Sequence, residues 1–146
     1  MKLSTRTRYG VRMMLALAID YSKGPVFLKS IAEEEDISEK YLSLIMIPLR
    51  SAGLVKSIRG AHGGYRLSRE PSQINLYEIV DVLEGKISLV DCIEDPSSCV
   101  RASNCVTRDI WEIVTDNISE TLRAITLNTL VEKVLTRKKT GKRGRR

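Results

Sequence analysis

The sequence predicts a mainly α-helical chain with one small β-hairpin, arranged as a winged helix-turn-helix followed by a long dimerisation helix. Three observations predict it. Residues 38–65, SEKYLSLIMIPLRSAGLVKSIRGAHGGY, read as a short amphipathic helix, a glycine stop and two short extended runs about a glycine-rich turn. Ile110, Val114, Ile118, Leu122 and Ile125 recur at three- and four-residue spacing, the period of one helix face. Charge is divided: residues 1–69 carry 12 Lys/Arg against 6 Asp/Glu, residues 70–136 carry 5 against 12, and residues 137–146 carry 7 against none.

The first helix is expected from Ser4 or Thr5 to about Tyr21. Tyr9, Met13, Ala16 and Leu17 begin its buried stripe. Val11, Met14, Leu15, Ala18 and Ile19 widen it, so this element should be covered on most sides. Arg6, Arg8 and Arg12 line the remaining strip, as solvated arginines or as phosphate contacts. Pro25 forbids continuation. A shorter helix follows between Phe27 and Asp36, with Ile31 and Ala32 inward and Glu33, Glu34 and Glu35 outward. Two short helices joined by a tight turn at Asp36 and Ile37 make a helix-turn-helix.

Ser38 caps the next helix, because its hydroxyl accepts from a free N–H of the first turn. Leu42, Ile45, Leu49 and Ala52 form its buried stripe, and Gly53 closes it. Pro48 removes one backbone bond to Leu44, so a kink or a change of helix geometry is expected there. A helix followed at once by a hairpin with a basic tip is how a winged helix-turn-helix meets duplex DNA, helix in the major groove and wing on the neighbouring backbone or minor groove. Glu39, Lys40, Ser43, Leu44 and Ile47 lie off that stripe and can face bases, and the residues expected to contact DNA on the helix are Ser38, Lys40, Tyr41, Ser43, Leu44 and Arg50. Lys40 and Ser43 suit base edges or phosphate, and Leu44 suits a thymine methyl. On the hairpin they are Arg59, Gly60 and His62. An arginine at such a tip can enter a narrow minor groove, and the glycines permit close approach to the backbone. His62 is the only histidine, and a lone tip histidine is a solvent or phosphate contact before it is a metal ligand.

Asn75 caps a helix from Leu76 to about Glu84, with Glu78 as the capping-box partner and Gly85 as the stop. Beyond it, Cys92, Cys99 and Cys105 fall within fourteen residues of a polar loop broken by Pro96. Structural cysteines are usually dispersed through a core. Clustered thiolates point to zinc, copper(I) or an iron–sulfur cluster. Three are one short of a closed zinc site, with no histidine near. An iron–sulfur cluster with one labile or non-cysteine ligand suits the count better. Redox-active or incidental thiols are the alternative.

The stripe from Ile110 places a long helix between about Asn104 and Ile125, whose apolar face calls for a partner helix and hence a homodimer. Packing back on its own chain is the competing reading. Thr126 caps a last turn, Leu127 to Val134, and the basic tail is expected to be disordered. The regions are then a winged helix-turn-helix over 1–84, a cysteine loop over 85–106, a dimerisation helix and turn over 107–136, and the tail over 137–146. With 146 residues and 42% hydrophobic content, one packed domain is expected. No apolar run of about eighteen residues exists, so no membrane partner is expected. An odd number of cysteines and no leader pattern argue for the cytoplasm. Neither a P-loop, a dinucleotide glycine pattern nor a His/Asp/Ser constellation is present. An enzyme or electron carrier is therefore not expected, and a purely structural zinc module ranks below the regulator.

The chain resembles the iron–sulfur cluster family of winged-helix transcription regulators, of the IscR, NsrR and CymR type. The resemblance rests on Met1-Lys2-Leu3-Ser4, Tyr9-Gly10-Val11-Arg12, Ser38-x-x-Tyr41-Leu42 and Ala52-Gly53-Leu54-Val55. It continues through Arg59-Gly60, Gly63-Gly64-Tyr65, the three-cysteine loop, Trp111 and Ile125-Thr126-Leu127. It implies a homodimer with crossed long helices, binding to double-stranded operator DNA and a repressor sense. It also implies a [2Fe-2S] or [4Fe-4S] cluster on Cys92, Cys99 and Cys105 that senses redox, nitric oxide or iron status. The alternative within the resemblance is a cluster-free regulator of cysteine or sulfur metabolism. Several positions depart from the pattern. The Cys92–Cys99 gap is one residue longer, and Arg108 stands where an IscR-type protein has a histidine ligand. Arg8 stands where the NsrR type has an acidic one. Ser43 and Leu44 replace acidic and amide residues of the reading helix. The fourth ligand is unidentified, with Asp91, Glu94, Asp109, a small thiol or water as candidates.

Overall fold

A computed structural model of the chain describes residues 2–143. Helix α1 spans Thr5–Ile19, α2 Leu28–Glu35 and α3 Glu39–Ser51; strands β1, Val55–Ile58, and β2, Gly64–Leu67, follow. Then come α4, Leu76–Glu84, a short α5, Asp91–Glu94, the long α6, Val106–Ala124, and α7, Leu127–Arg143. This is the mainly helical winged helix-turn-helix expected, with one two-stranded antiparallel sheet among the described residues.

α1 is the hub. Met13, Met14 and Leu17 are at most 1% exposed, and the helix packs against α2, α3, α4, α7 and β2. Gly10 lets it come close: a Cβ there would collide with Leu83 of α4. Ile19, the last residue of the helix, lies at the surface instead. Ser4 caps α1 by accepting from the Thr7 N–H at 3.1 Å, and Ser4 in turn donates its own N–H to Glu84 at 2.5 Å.

The turn between α2 and α3 is set by Asp36, whose φ of 52° places it in the left-handed region that aspartate tolerates. Ile37 then donates back to the Ala32 carbonyl at 3.0 Å and buries its side chain. Arg12 of α1 holds this corner, donating to the Glu35 carboxylate and to the Glu35 carbonyl, each at 2.6 Å. That arginine's guanidinium thus ties α1 to the end of α2.

In α3, Leu42, Ile45, Met46 and Leu49 are buried. Met46 completes the stripe where Ala52 was expected, because Ala52 is the exposed C-cap and no longer part of the helix. The helix runs through Pro48 to Ser51 without a break. Proline sits in the last turn with only three helical residues after it, and the carbonyl that loses its donor belongs to exposed Leu44. Leu54 donates to Leu49 at 3.0 Å and Gly53 to Arg50 at 2.9 Å, around a Gly53 φ of 74°. This double bond pattern about a left-handed glycine ends the helix and turns the chain into β1.

The capping box at Asn75 is present: Asn75 accepts from the Glu78 N–H at 3.0 Å and Glu78 accepts from the Asn75 N–H at 3.1 Å. Leu76 donates to Ile125 and Leu127 to Ile74, both at 2.9 Å, which fixes the α6–α7 corner to the start of α4. The C-terminal stretch departs from expectation. The turn foreseen to Val134 continues as α7 to Arg143, so residues 137–143 of the basic tail are helical. Lysine and arginine are good helix formers, and Thr136 and Thr140 donate to the carbonyls of Glu132 and Thr136 at 2.9 and 3.1 Å. The last residues of the tail, 144–146, lie outside the described residues.

Candidate nucleic-acid interface and thiol loop

The winged-helix face is built by three short elements that α1 holds together. Ser38 accepts from the Tyr41 N–H at 3.4 Å and starts α3. The outward face of α3 then carries Lys40, Leu44, Ile47 and Arg50, all exposed. Ser43 is half-buried, and its hydroxyl donates to the Glu39 and Lys40 carbonyls at 3.0 Å. Its proton is thus held by its own helix, and only its lone pairs face outward. Tyr41 is also half-buried. Its ring meets Tyr9 edge-on at 6.0 Å, so it braces α3 on α1 as well as bordering the face.

The hairpin pairs Val55 with Leu67, Lys56 with Arg66, Ser57 with Tyr65 and Ile58 with Gly64. Arg59, Gly60, Ala61 and His62 form its exposed tip, closed by a Gly63 N–H donated to the Gly60 carbonyl at 3.0 Å. The sheet is anchored at its base, where Val26 and Tyr65 exchange two backbone bonds of 2.8 Å. That approach requires Gly64: its φ is 134°, and a Cβ would lie 2.5 Å from the Val26 carbonyl oxygen. The wing is therefore held to the α1–α2 connection, a link that no side-chain pattern announces because it is made by main chain.

The thiol loop lies between α4 and α6 in chain order. Cys92 sits on α5 and is half-buried, Cys99 is exposed after a Pro96 turn, and half-buried Cys105 is the N-cap of α6. Asp95 shapes the turn, accepting from the Ser97 N–H at 3.0 Å. The Cys105 thiol hydrogen-bonds the Thr107 hydroxyl at 3.2 Å. That bond, with the Arg108 and Thr107 N–H groups, draws the thiol below its ordinary pKa. The three thiols are free, without disulfides.

Whether a cluster fits can be judged from these donors. Their chemistry is right and their arrangement is not. Among the described residues no three His, Cys, Asp or Glu side chains are gathered as a metal site. Arg108, three residues after Cys105, donates its Nε–H to the Cys92 carbonyl at 3.0 Å and lies 3.8 Å from Glu112. It pins the loop to α6 and offers no ligand. As folded, the loop does not make a closed ligand set for Cys92, Cys99 and Cys105. The Arg108 brace has no sequence signal, since its acceptor is a main-chain oxygen.

α6 packs on α4 and α5 and buries Thr115 and Ser119, while Ile118, Leu122 and Ile125 of its aliphatic stripe are half-buried and the N-terminal part of that side is exposed. Ile110, Trp111, Ile113 and Val114 are 51%, 43%, 57% and 36% exposed. Beside them an apolar groove is lined by Leu3, Val80, Ile87, Ile118 and Leu122. No helix among the described residues is long and apolar enough to cross a membrane.

Comparison with known proteins places this geometry. The family model described as "Rrf2: Iron-dependent Transcriptional regulator" matches residues 3–133. The chain is 45% identical over 130 residues to the HTH-type transcriptional regulator CymR of Bacillus subtilis strain 168, covering 89% of each. It superposes on the solved structure of CymR, the global cysteine regulator of B. subtilis, with a TM-score of 0.77 at 44% identity, covering 91% of this chain and 98% of that one. IscR of T. potens gives a TM-score of 0.76 at 42% identity, with 92% and 88% covered.

Proposed function

The chain belongs to the Rrf2 family of transcriptional regulators, and from that premise we propose that it binds operator DNA as a homodimer under the control of its thiol loop. The observation that carries DNA binding is the pairing of α3's exposed outer face with the Arg59 tip on one basic half of the chain. α3 enters the major groove by its outer face, and the wing reaches the flanking backbone. Lys40, Arg50 and Arg59 supply phosphate attraction, which positions the protein without reading sequence. Ser38 and Gly60 border the contact through backbone N–H groups, and His62 adds a donor at the tip. The unpartnered aliphatic side of α6 supports the homodimer, since two-fold symmetry would cover it with its own copy.

Two chemistries for the control loop have support. An iron–sulfur cluster on Cys92, Cys99 and Cys105 is supported by the three thiols and by the likeness to IscR. It requires the loop to close and a fourth donor to join it. A cluster-free regulator of cysteine or sulfur metabolism is supported by the Arg108 brace and by the likeness to a protein described as a global cysteine regulator. One measurement separates them. Protein purified without oxygen is examined for visible absorption, iron and sulfide. A coloured protein, bleached by Cys→Ser at each of the three positions, establishes the cluster. A colourless, iron-free protein that still binds promoter fragments establishes the cluster-free reading. A monomer that ignores duplex DNA defeats both.

A further inference from the structure

The outward face of α3 is aliphatic at its centre. Leu44 and Ile47 are 56% and 59% exposed, and three residues apart on a helix they stand side by side. Lys40 lies one turn before Leu44, and Arg50 lies one turn beyond Ile47, both exposed. Ten residues of helix separate these cations by roughly 15 Å, more than the groove width of about 12 Å. With α3 laid across the groove, this spacing would let the cations meet phosphates at the two margins and set the aliphatic pair over base edges. Between them Ser43 donates its hydroxyl proton to Glu39 and Lys40, so the centre presents no side-chain donor. Glu39, one turn before Ser43, is exposed at the start of the helix and can accept from a cytosine amine there.

Against the Leu44 and Ile47 side chains themselves, the polar edges of guanine, cytosine and adenine lose water and find no partner, which is unfavourable; the one acceptor between them is the half-buried Ser43 hydroxyl. Thymine alone puts an apolar group, its C5 methyl, into the major groove. We infer that Leu44 and Ile47 determine specificity by seating thymine methyls at fixed positions of each operator half-site. This rests on the DNA-binding reading above and adds what the face selects.

The test starts from a random-sequence duplex library enriched on the full-length protein. Thymine should recur at fixed steps in each half of the recovered duplexes. A recovered duplex is then remade with deoxyuridine at those steps, which removes the methyl alone. Binding should weaken about fourfold for each methyl removed. Leu44→Ala, at an exposed position that leaves the fold intact by circular dichroism, should bind the thymine duplex more weakly and discriminate less against deoxyuridine. Ile47→Ala should do the same at the adjacent step. Equal binding of the two duplexes by the wild type, or full thymine preference in both variants, overturns the inference and leaves DNA binding standing. The second result would mean that the patch serves another copy or another protein. A library that yields no enriched duplex removes the DNA-binding reading, and the inference with it.

Discussion

Gly64 and Gly60 are both glycines of the wing with positive φ, at 134° and 110°, yet they face different surroundings. A Cβ at Gly60 meets nothing within 4 Å, whereas one at Gly64 would press on the Val26 carbonyl. Gly60→Ala should cost only the conformational strain, about 1–2 kcal/mol. Gly64→Ala should add the loss of the Val26–Tyr65 bonds and destabilise the chain by about 1–3 kcal/mol more. Urea unfolding of the two variants reads the difference, and equal losses would mean that the wing is not anchored through Val26. Glu84 is a second single-residue case. The Ser4 hydroxyl lowers its pKa most; burial opposes the shift, and the Ser4 N–H, the Thr7 hydroxyl and Arg6 also hold it below 4.5. A native pKa below the unfolded one gives stabilisation that is present above about pH 4.5 and is lost as pH falls through the native value. Exchange protection of the Ser4 amide should vanish over that acid range, and Glu84→Gln should remove the pH dependence. Protection unchanged at pH 3 would show that the carboxylate does not hold the N-terminal segment.

At the scale of elements, periodicity and capping residues foretold most of the helices. Ser38, Asn75, Gly53 and Thr126 all mark ends that the structure keeps, because a cap is a local bond between neighbours in sequence. What the pattern did not tell is whether an apolar stripe is covered. The α6 stripe and the α3 stripe look alike in sequence, but α3 buries Leu42, Ile45, Met46 and Leu49 while α6 buries Thr115 and Ser119. Burial depends on which elements return to the helix, and that is not a local property. The convergence that the sequence predicts for the three cysteines is missing for the same reason: proximity along the chain brings them to one loop, yet among the described residues no three potential ligands are gathered at one point. The exposed part of the stripe, Ile110 and Val114, leads to a prediction. In a two-fold dimer each aliphatic is buried twice, so Val114→Asp should weaken association by about 3–6 kcal/mol. Val114 is exposed in the protomer, so the fold should survive. Sedimentation should then show a monomer with near-native circular dichroism, and operator affinity should fall with it. A variant that stays dimeric would place the twofold seam elsewhere than on α6.

For the whole molecule the distribution of charge matters more than its sum. The formal net charge is +6, yet residues 137–146 alone contribute seven positive charges, and residues 1–136 together carry a net of −1. Without the tail the chain is a dipole, its reading half positive and its middle negative. DNA would then attract one side and repel the other. With the tail, the long-range field favours approach from many orientations. Long-range attraction acts on encounter, while contacts in the groove set the lifetime of the complex. Leu130 and Val131 pack α7 against the core, and the residues beyond position 134 that have a described burial are exposed. Deleting residues 137–146 should therefore leave the melting temperature nearly unchanged. The association rate on duplex DNA at low salt should drop, and the dissociation rate from an enriched duplex should stay close to that of the full chain. The log–log salt slope should become less negative by about 0.9 for each phosphate the tail had neutralised. Arg59→Ala provides the contrast, since a tip side chain seated on the backbone should quicken dissociation instead. If tail removal quickens dissociation and Arg59→Ala does not, the tail makes the contacts assigned to the wing, and the positions of these two basic elements on the duplex must be exchanged.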